Sequence, residues 1–270
     1  MINQFPKTLE TQVLLAHVTG KNRTWLMSHP EASLTPQQAE ALEMAQTQLE
    51  QGVPLPYILR HWEFFGMDFE VSPEVLIPRP ETELLIETAL AQTRTHPRPA
   101  YRFIDIGTGS GIIPVTLATL VPSAQIVATD ISPAALTIAR RNAEKHGVEA
   151  RISFVEADLL PDYLPFYNYD ILSANLPYIP TETLQALDVF GKEPSLALDG
   201  GADGLDLIRQ LLAQLTDGQF TVSLILLEIE NRQGLAVKIL ARQHFPAADI
   251  QILKDLAGHD RLAVINTDWH

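Results

Sequence analysis

The chain of 270 residues contains no cysteine, which removes disulfides, thiolate nucleophiles and thiolate metal ligands. Such a sequence fits a reducing compartment. Residues 1 to 30 hold no apolar run long enough for a signal peptide or a membrane span, because Lys7, Glu10, His17, Lys21 and Arg23 interrupt it. A cytoplasmic protein with no membrane partner is expected. Basic residues are scarce, 19 against 33 acidic, and the net charge of −14 opposes a phosphate backbone, so no direct nucleic-acid partner is expected. The histidines at 17, 29, 61, 96, 146, 244, 259 and 270 include no pair at helical metal-ligand spacing, and no metal site is expected. Internal repeats and low-complexity tracts are missing as well. What is present is ordinary for a globular chain: 46% hydrophobic and 19% charged residues, enough for a real core. The length suits one large or two medium domains at roughly 150 residues each.

Residues 1 to 52 carry helical periodicity, through Leu9, Val13 and Ala16, then Leu34, Ala39, Leu42, Ala45 and Leu49. Thr35-Pro36 reads as a cap and first helical position and Gly52 as a stop, giving a small all-helical domain that ends near Pro54 and Pro56. From Trp62 to Ile77 the pattern turns aromatic and β-branched around Gly66, as in a hairpin connector. Ile77-Pro78-Arg79-Pro80-Glu81-Thr82-Glu83 follows, with Glu81 and Glu83 in the first turn of a helix through Leu84, Leu85 and Leu90.

Strands and helices then alternate, the mark of an α/β sheet. The spacing predicts strands over 102–106, 125–129, 151–156, 169–174, 220–229, 250–253 and 262–265, and helices from Ile112 to Leu120, after Ser132-Pro133, over 203–216 and over 234–243. The strand ends carry the chemistry. Gly107-Thr108-Gly109-Ser110-Gly111, between a strand and a helix, lets the backbone turn sharply and approach a bulky ligand. In dinucleotide enzymes the third glycine falls one residue later, where this chain has Ile112, so the loop points away from NAD. Asp130 ends the second strand about twenty residues on, where an acid accepts from both ribose hydroxyls. Asp158, followed by Leu159, ends the third strand and is placed to accept from an adenine amino group. Asn175-Leu176-Pro177-Tyr178 ends the fourth, setting an amide and an aromatic face where open parallel sheets hold their ligands. Taken alone, that segment reads equally well as a turn.

This order of strand ends resembles class I methyltransferases that use S-adenosyl-L-methionine. The fourth resembles the Asn-Pro-Pro-Tyr signature of enzymes that methylate planar amino or amide nitrogens, a group that includes DNA adenine methyltransferases and glutamine methyltransferases. Further runs separate these two: the segment from Ile77 to Glu83, Asp105 to Gly111, Glu193-Pro194-Ser195-Leu196-Ala197-Leu198-Asp199-Gly200-Gly201-Ala202-Asp203-Gly204-Leu205, and Leu227-Glu228-Ile229 with Gln233. Together they look like the HemK/PrmC family, the peptide chain release factor N5-glutamine methyltransferases, over nearly the whole chain.

The resemblance implies a Rossmann-like, seven-stranded, mostly parallel sheet. It divides the chain into a helical substrate-docking domain (1–60), a hairpin connector (61–78) and a catalytic domain (79–270). It implies that Gly107, Thr108, Gly109, Ser110, Gly111, Asp130, Asp158, Leu159 and Asn175 bind S-adenosyl-L-methionine. Asn175, Pro177 and Tyr178 would form the catalytic centre, and Asn175, Leu176, Pro177, Tyr178 and Arg79 would contact substrate. The implied partner is a class 1 release factor, methylated at the glutamine of its Gly-Gly-Gln tip by a monomeric enzyme. In the family the Asn side chain and the next residue's carbonyl accept from the substrate NH₂. Leu176 stands where the family usually has proline, but it keeps that carbonyl, and Pro177 restricts it toward extended conformations. The rival readings are a DNA adenine-N6 methyltransferase, a dinucleotide oxidoreductase and a non-catalytic S-adenosylmethionine-fold binding module. The first needs a basic groove or a target-recognition insertion, and the second has no use for the Asn-Leu-Pro-Tyr corner.

Overall fold

A computed structural model describes residues 2–5, 8–161, 163–218 and 220–267, so Lys7 and His270 lie outside the description. The chain forms two compact units, Met1–Trp62 and Glu63–His270.

The first unit is helical: α1 (Leu9–Thr19), α2 (Arg23–Ser28), α3 (Pro36–Glu50) and α4 (Leu55–Leu59). Side-chain caps start the first three, with Thr8, Asn22 and Thr35 each accepting from a backbone N–H in the first turn, and Thr35 and Gln38 close a reciprocal capping box. The buried stripe of α1 differs from the one expected. Leu14 and Leu15 are buried, whereas Leu9 is 57% exposed. A helical side chain leans over the turn before its own Cα, and Leu9, the first helical residue, has no such turn to cover. Pro54 and Pro56 open α4 instead of closing the helical segment, because a first turn has no use for their missing N–H groups.

The unit boundary falls inside β1 (His61–Phe64), which is joined to β2 (Met67–Glu70) by Phe65-Gly66 with both φ angles positive, as a two-residue hairpin loop requires. A short 3₁₀ turn over Pro80–Thr82 then precedes α5 (Glu83–Thr95), so Glu81 lies in that turn and only Glu83 in the α-helix. The alternation follows as β3 (Tyr101–Ile106), α6 (Ile112–Leu120), β4 (Ala124–Asp130), α7 (Pro133–Lys145), β5 (Ile152–Glu156), β6 (Asn168–Ala174), the single turn α8 (Thr181–Leu184), α9 (Asp206–Asp217), β7 (Thr221–Glu228), α10 (Gly234–His244), β8 (Asp249–Lys254) and β9 (Asp260–Asn266).

Seven strands make one sheet in the order β5-β4-β3-β6-β7-β9-β8. Pairing is parallel from β5 across to β7, and β9 runs antiparallel to both β7 and β8. Strand β3 is buried at every position but one, which its apolar run Phe103-Ile104 and Ile106 anticipates for a strand covered on both faces. The chain winds outward in one direction from β3 to β5 and returns through β6 on the other side. The carboxyl ends of β3 and β6 therefore face the crevice where such sheets bind ligands. This is the class I methyltransferase fold. No helix among the described residues is long and apolar enough to cross a membrane.

Candidate functional site

At that crevice lies a cavity of about 340 Å³, within the size range of small-ligand pockets. Of the residues singled out from the sequence, Arg79, Gly107, Thr108, Gly109, Ser110, Asp130, Asp158, Leu159, Asn175, Leu176 and Pro177 line it. Gly111 and Tyr178 stand behind the wall. Gly111 is the N-cap of α6, and a Cβ there would lie 3.0 Å from that of Ala139, so it serves helix packing.

The glycine loop owes its shape to close neighbours. A Cβ on Gly107 would lie 3.0 Å from Leu176 Cδ2, so the side chain that replaces the usual proline fills the space under the loop. Leu176 is 4% exposed and belongs to the core of that sheet face, and no cis peptide occurs among the described residues. Asn142, fully buried on α7, donates to the carbonyls of Ser110 and Glu70 at 2.8 and 2.9 Å and accepts from the Glu70 N–H at 2.7 Å. One satisfied amide thus ties the glycine loop to the hairpin.

Asp130 is oriented by the same loop. The Gly109 N–H donates to its Oδ2 at 2.8 Å and the Ser132 N–H to its Oδ1 at 2.9 Å. Each oxygen keeps a further lone pair for a ligand. Burial pushes its pKa up, against the pull of those N–H groups. Asp158 is exposed at the rim. Leu159 adopts φ of 64°, and its carbonyl accepts from the Thr129 hydroxyl at 2.8 Å. Beneath the loop Asp105 is fully buried, and its Oδ1 accepts from Ser173 Oγ at 2.6 Å across the β3–β6 pair. Burial raises its pKa to about 7.

Asn175 leaves β6 with its Nδ2 donating to Thr82 Oγ1 at 3.1 Å. The corner that follows is clamped by the run 198–204. Ile179 N–H donates to Leu198 O, Gly200 N–H to Ile179 O and Thr181 N–H to Gly201 O, at 2.9 to 3.0 Å. Gln233 Nε2 donates to Tyr178 O at 2.9 Å and to Gly204 O at 3.2 Å. The Tyr178 hydroxyl points to the buried Glu228, donating to Oε1 at 3.4 Å, and burial with that carboxyl beside it raises the phenol pKa. Arg79 reaches the cavity wall, yet its guanidinium is held at 2.5 Å by Glu193 Oε1, whose Oε2 accepts from the Ile77 N–H at 3.1 Å. The Arg79 charge is therefore partly spent on fixing the Pro-rich entry to the site.

Sequence reading assigned no role to Thr82, Glu193, Glu228 or Gln233, although each lies in one of the runs quoted above. The signal available was burial against type. Glu228 sits in the apolar stretch Leu224 to Ile229, where a carboxylate is costly unless polar partners await it.

Comparison with known proteins decides what this cavity belongs to. The release factor glutamine methyltransferase of Moorella thermoacetica is 44% identical over 254 residues, covering 94% of this chain and 89% of that one. The chain belongs to the release factor glutamine methyltransferase family. The family member from Bacillus anthracis is 36% identical over 255 residues, with 93% and 89% covered. Residues 6–59 match the PrmC N-terminal domain model and residues 97–230 a methyltransferase domain model. Among solved structures, the N-terminal domain of human METTL16 in complex with SAH superposes with a TM-score of 0.56, covering 84% of this chain and 81% of that one. Its 16% identity makes this a likeness of fold. Membership in a release factor glutamine methyltransferase family gives the several spaced motifs one purpose. The glycine loop, Asp130 and the Asn175 corner share the wall of one cavity.

Proposed function

We propose that this protein transfers the methyl group of S-adenosyl-L-methionine to the side-chain amide nitrogen of the glutamine in the Gly-Gly-Gln motif of class 1 release factors. The observation that carries the reading is the meeting of Asn175 with the glycine loop and Asp130 in one cavity. That cavity suits an adenosyl ligand. Gly107 and Gly109 leave backbone open to it, Asp130 offers two oriented carboxylate oxygens for a ribose, and Asp158 stands at the rim for an adenine amino group.

Bound there, S-adenosyl-L-methionine supplies an electrophilic methyl on a positively charged sulfur. The chain's own task concerns the nucleophile. An amide nitrogen is weak because its lone pair is delocalised into the carbonyl. The Asn175 Oδ1 and the Leu176 carbonyl accept from its two N–H groups, hold it in line and favour the positive charge that grows on nitrogen as the N–C bond forms and the S–C bond breaks. The methylated nitrogen then gives one proton to water. Neutral acceptors suit this step, since a carboxylate at position 175 would cost desolvation. Pro177 and Tyr178 hold the corner in place, and the helical unit is proposed to dock the protein substrate.

The DNA-directed reading is disfavoured by the charge of −14. Labelled S-adenosyl-L-methionine offered with a release factor, with duplex DNA and with neither separates the readings. Label is expected in the release factor alone, and label in DNA alone would overturn the proposal. For the adenosyl end, calorimetric titration of Asp130→Ala is expected to show affinity weakened about 10- to 150-fold, as for the loss of a hydrogen bond to a charged group. Unchanged affinity would remove Asp130 from ribose binding.

A further inference from the structure

An amide side chain has two ends of nearly equal size, and only the oxygen of Asn175 can accept from a substrate NH₂. The choice between ends is made at the cavity wall. Thr82 is fully buried, and its Oγ1 lies 3.1 Å from Asn175 Nδ2. A hydroxyl carries one proton, so whichever neighbour takes that proton decides whether the oxygen shows Asn175 a donor or a lone pair. The other neighbour is Glu228, 2% exposed at the end of β7, whose Oε2 is buried with no hydrogen-bond partner among the described residues while Oε1 takes the Tyr178 hydroxyl. The Thr82 hydroxyl beside it favours the ionised carboxylate.

We propose that Thr82 and Glu228 are positioning residues for methyl transfer: Glu228 draws the Thr82 proton, the Thr82 oxygen is left as an acceptor, Asn175 turns Nδ2 toward it, and Oδ1 is thereby assigned to the substrate amide. The inference rests on the reaction proposed above and adds what sets the orientation of its acceptor group. Polarity runs one way along the three groups only while Glu228 is ionised. A protonated Glu228 offers its own proton to Thr82, which then donates to Asn175 Oδ1 and turns the wrong end of the amide to the substrate. Burial, with Glu81 nearby, pushes the Glu228 carboxyl up to about 7, against Thr82, Arg261 and Tyr178. Tyr178, raised by burial, keeps its proton across this range. Methyl transfer therefore falls as the pH drops through about 7. Asp105, the other buried carboxyl raised to about 7, lies under the glycine loop and is the rival source of such a fall.

The test uses the full-length enzyme with a release factor and compares wild type, Thr82→Val, Thr82→Ser and Glu228→Gln. Thr82→Val is expected to lower kcat about 10- to 100-fold, the range for mis-set groups at a reacting centre. KM for the release factor and the calorimetric affinity for S-adenosyl-L-methionine should stay within about threefold, the signature of an interaction felt mainly in the transition state. Thr82→Ser, which restores the hydroxyl, should recover most of kcat. Glu228→Gln, which cannot titrate, should lose the acidic limb of the kcat–pH profile. A Thr82→Val enzyme with wild-type kcat, or an acidic limb that survives in Glu228→Gln and so belongs to Asp105, would overturn the inference. So would equal losses in Thr82→Val and Thr82→Ser, which mark a packing role. Failure of the wild type to methylate any release factor sinks instead the reading on which it stands.

Discussion

Asn175→Ala is expected to lower kcat for release factor methylation by about 100- to 1,000-fold, the measured scale for removing one preorganised hydrogen-bonding group from a charge-developing centre. The loss should appear in kcat more than in cofactor affinity, because the side chain's oxygen, proposed to accept from the substrate, has no partner among the described residues, whereas Nδ2 is engaged by Thr82. Alanine leaves the Leu176 carbonyl as the sole remaining acceptor, so the amide nitrogen is still bound but free to turn out of line. Stability should change little, since position 175 is half-buried and the deleted amide made one protein hydrogen bond. Steady-state kinetics at saturating S-adenosyl-L-methionine check it. A wild-type kcat in Asn175→Ala would remove this residue from the transfer step.

Gly204→Ala should damage both folding and activity, although Gly204 does not line the cavity. Its φ is +77°, and an added Cβ would fall 2.2 Å from Tyr178 O and 2.7 Å from Gln233 Nε2. Two costs combine. The left-handed conformation costs about 1–2 kcal/mol for a residue bearing a Cβ, and the collision forces a backbone shift of the overpacking kind, about 1–3 kcal/mol. Relief moves the Tyr178 carbonyl and breaks its bond from Gln233, so the corner carrying Asn175 shifts with it. Displacement by about 1 Å at a reacting centre costs on the order of 100-fold in rate. Gly147→Ala is the control. It has φ of +66° with nothing within 4 Å of the added Cβ, so only the conformational cost applies and activity should persist. Denaturant unfolding and methylation rates on both variants check this. Equal destabilisation of the two would mean that the clamp around Tyr178 yields freely.

These expectations show which parts of the site were legible in the sequence. The strand ends were, because strand-helix alternation is a local pattern and glycine, Asp130 and Asn175 each fall where one strand gives way to its turn. Their supports were not. Thr82 and Asn175 are 93 residues apart, and Arg79 and Glu193 are 114 apart, with no periodicity to connect them. Those pairs exist only because the switch point of the sheet brings β6, β7 and the Pro-rich entry together. Arg79 was expected to contact substrate, and its acidic partner Glu193 lies in a distant loop. Tyr178 was expected to contact substrate, and the structure turns its hydroxyl inward to Glu228. For Leu176 the carbonyl was readable from the sequence, but not that its side chain packs beneath Gly107 and joins the corner to the glycine loop. In the helical unit the period was readable but the stripe on α1 was displaced, since Leu9 starts a helix with nothing beneath it.

The claim at the centre of this account is that one cavity joins an adenosyl end to an amide-selecting end. The most direct measurement is tandem mass spectrometry of a class 1 release factor incubated with the enzyme and isotopically labelled S-adenosyl-L-methionine. The account predicts one labelled methyl on the side-chain amide nitrogen of the Gly-Gly-Gln glutamine, formed at least about 100-fold more slowly when Asn175→Ala replaces the wild type. A labelled methyl on a different residue, or equal labelling by Asn175→Ala, would contradict it.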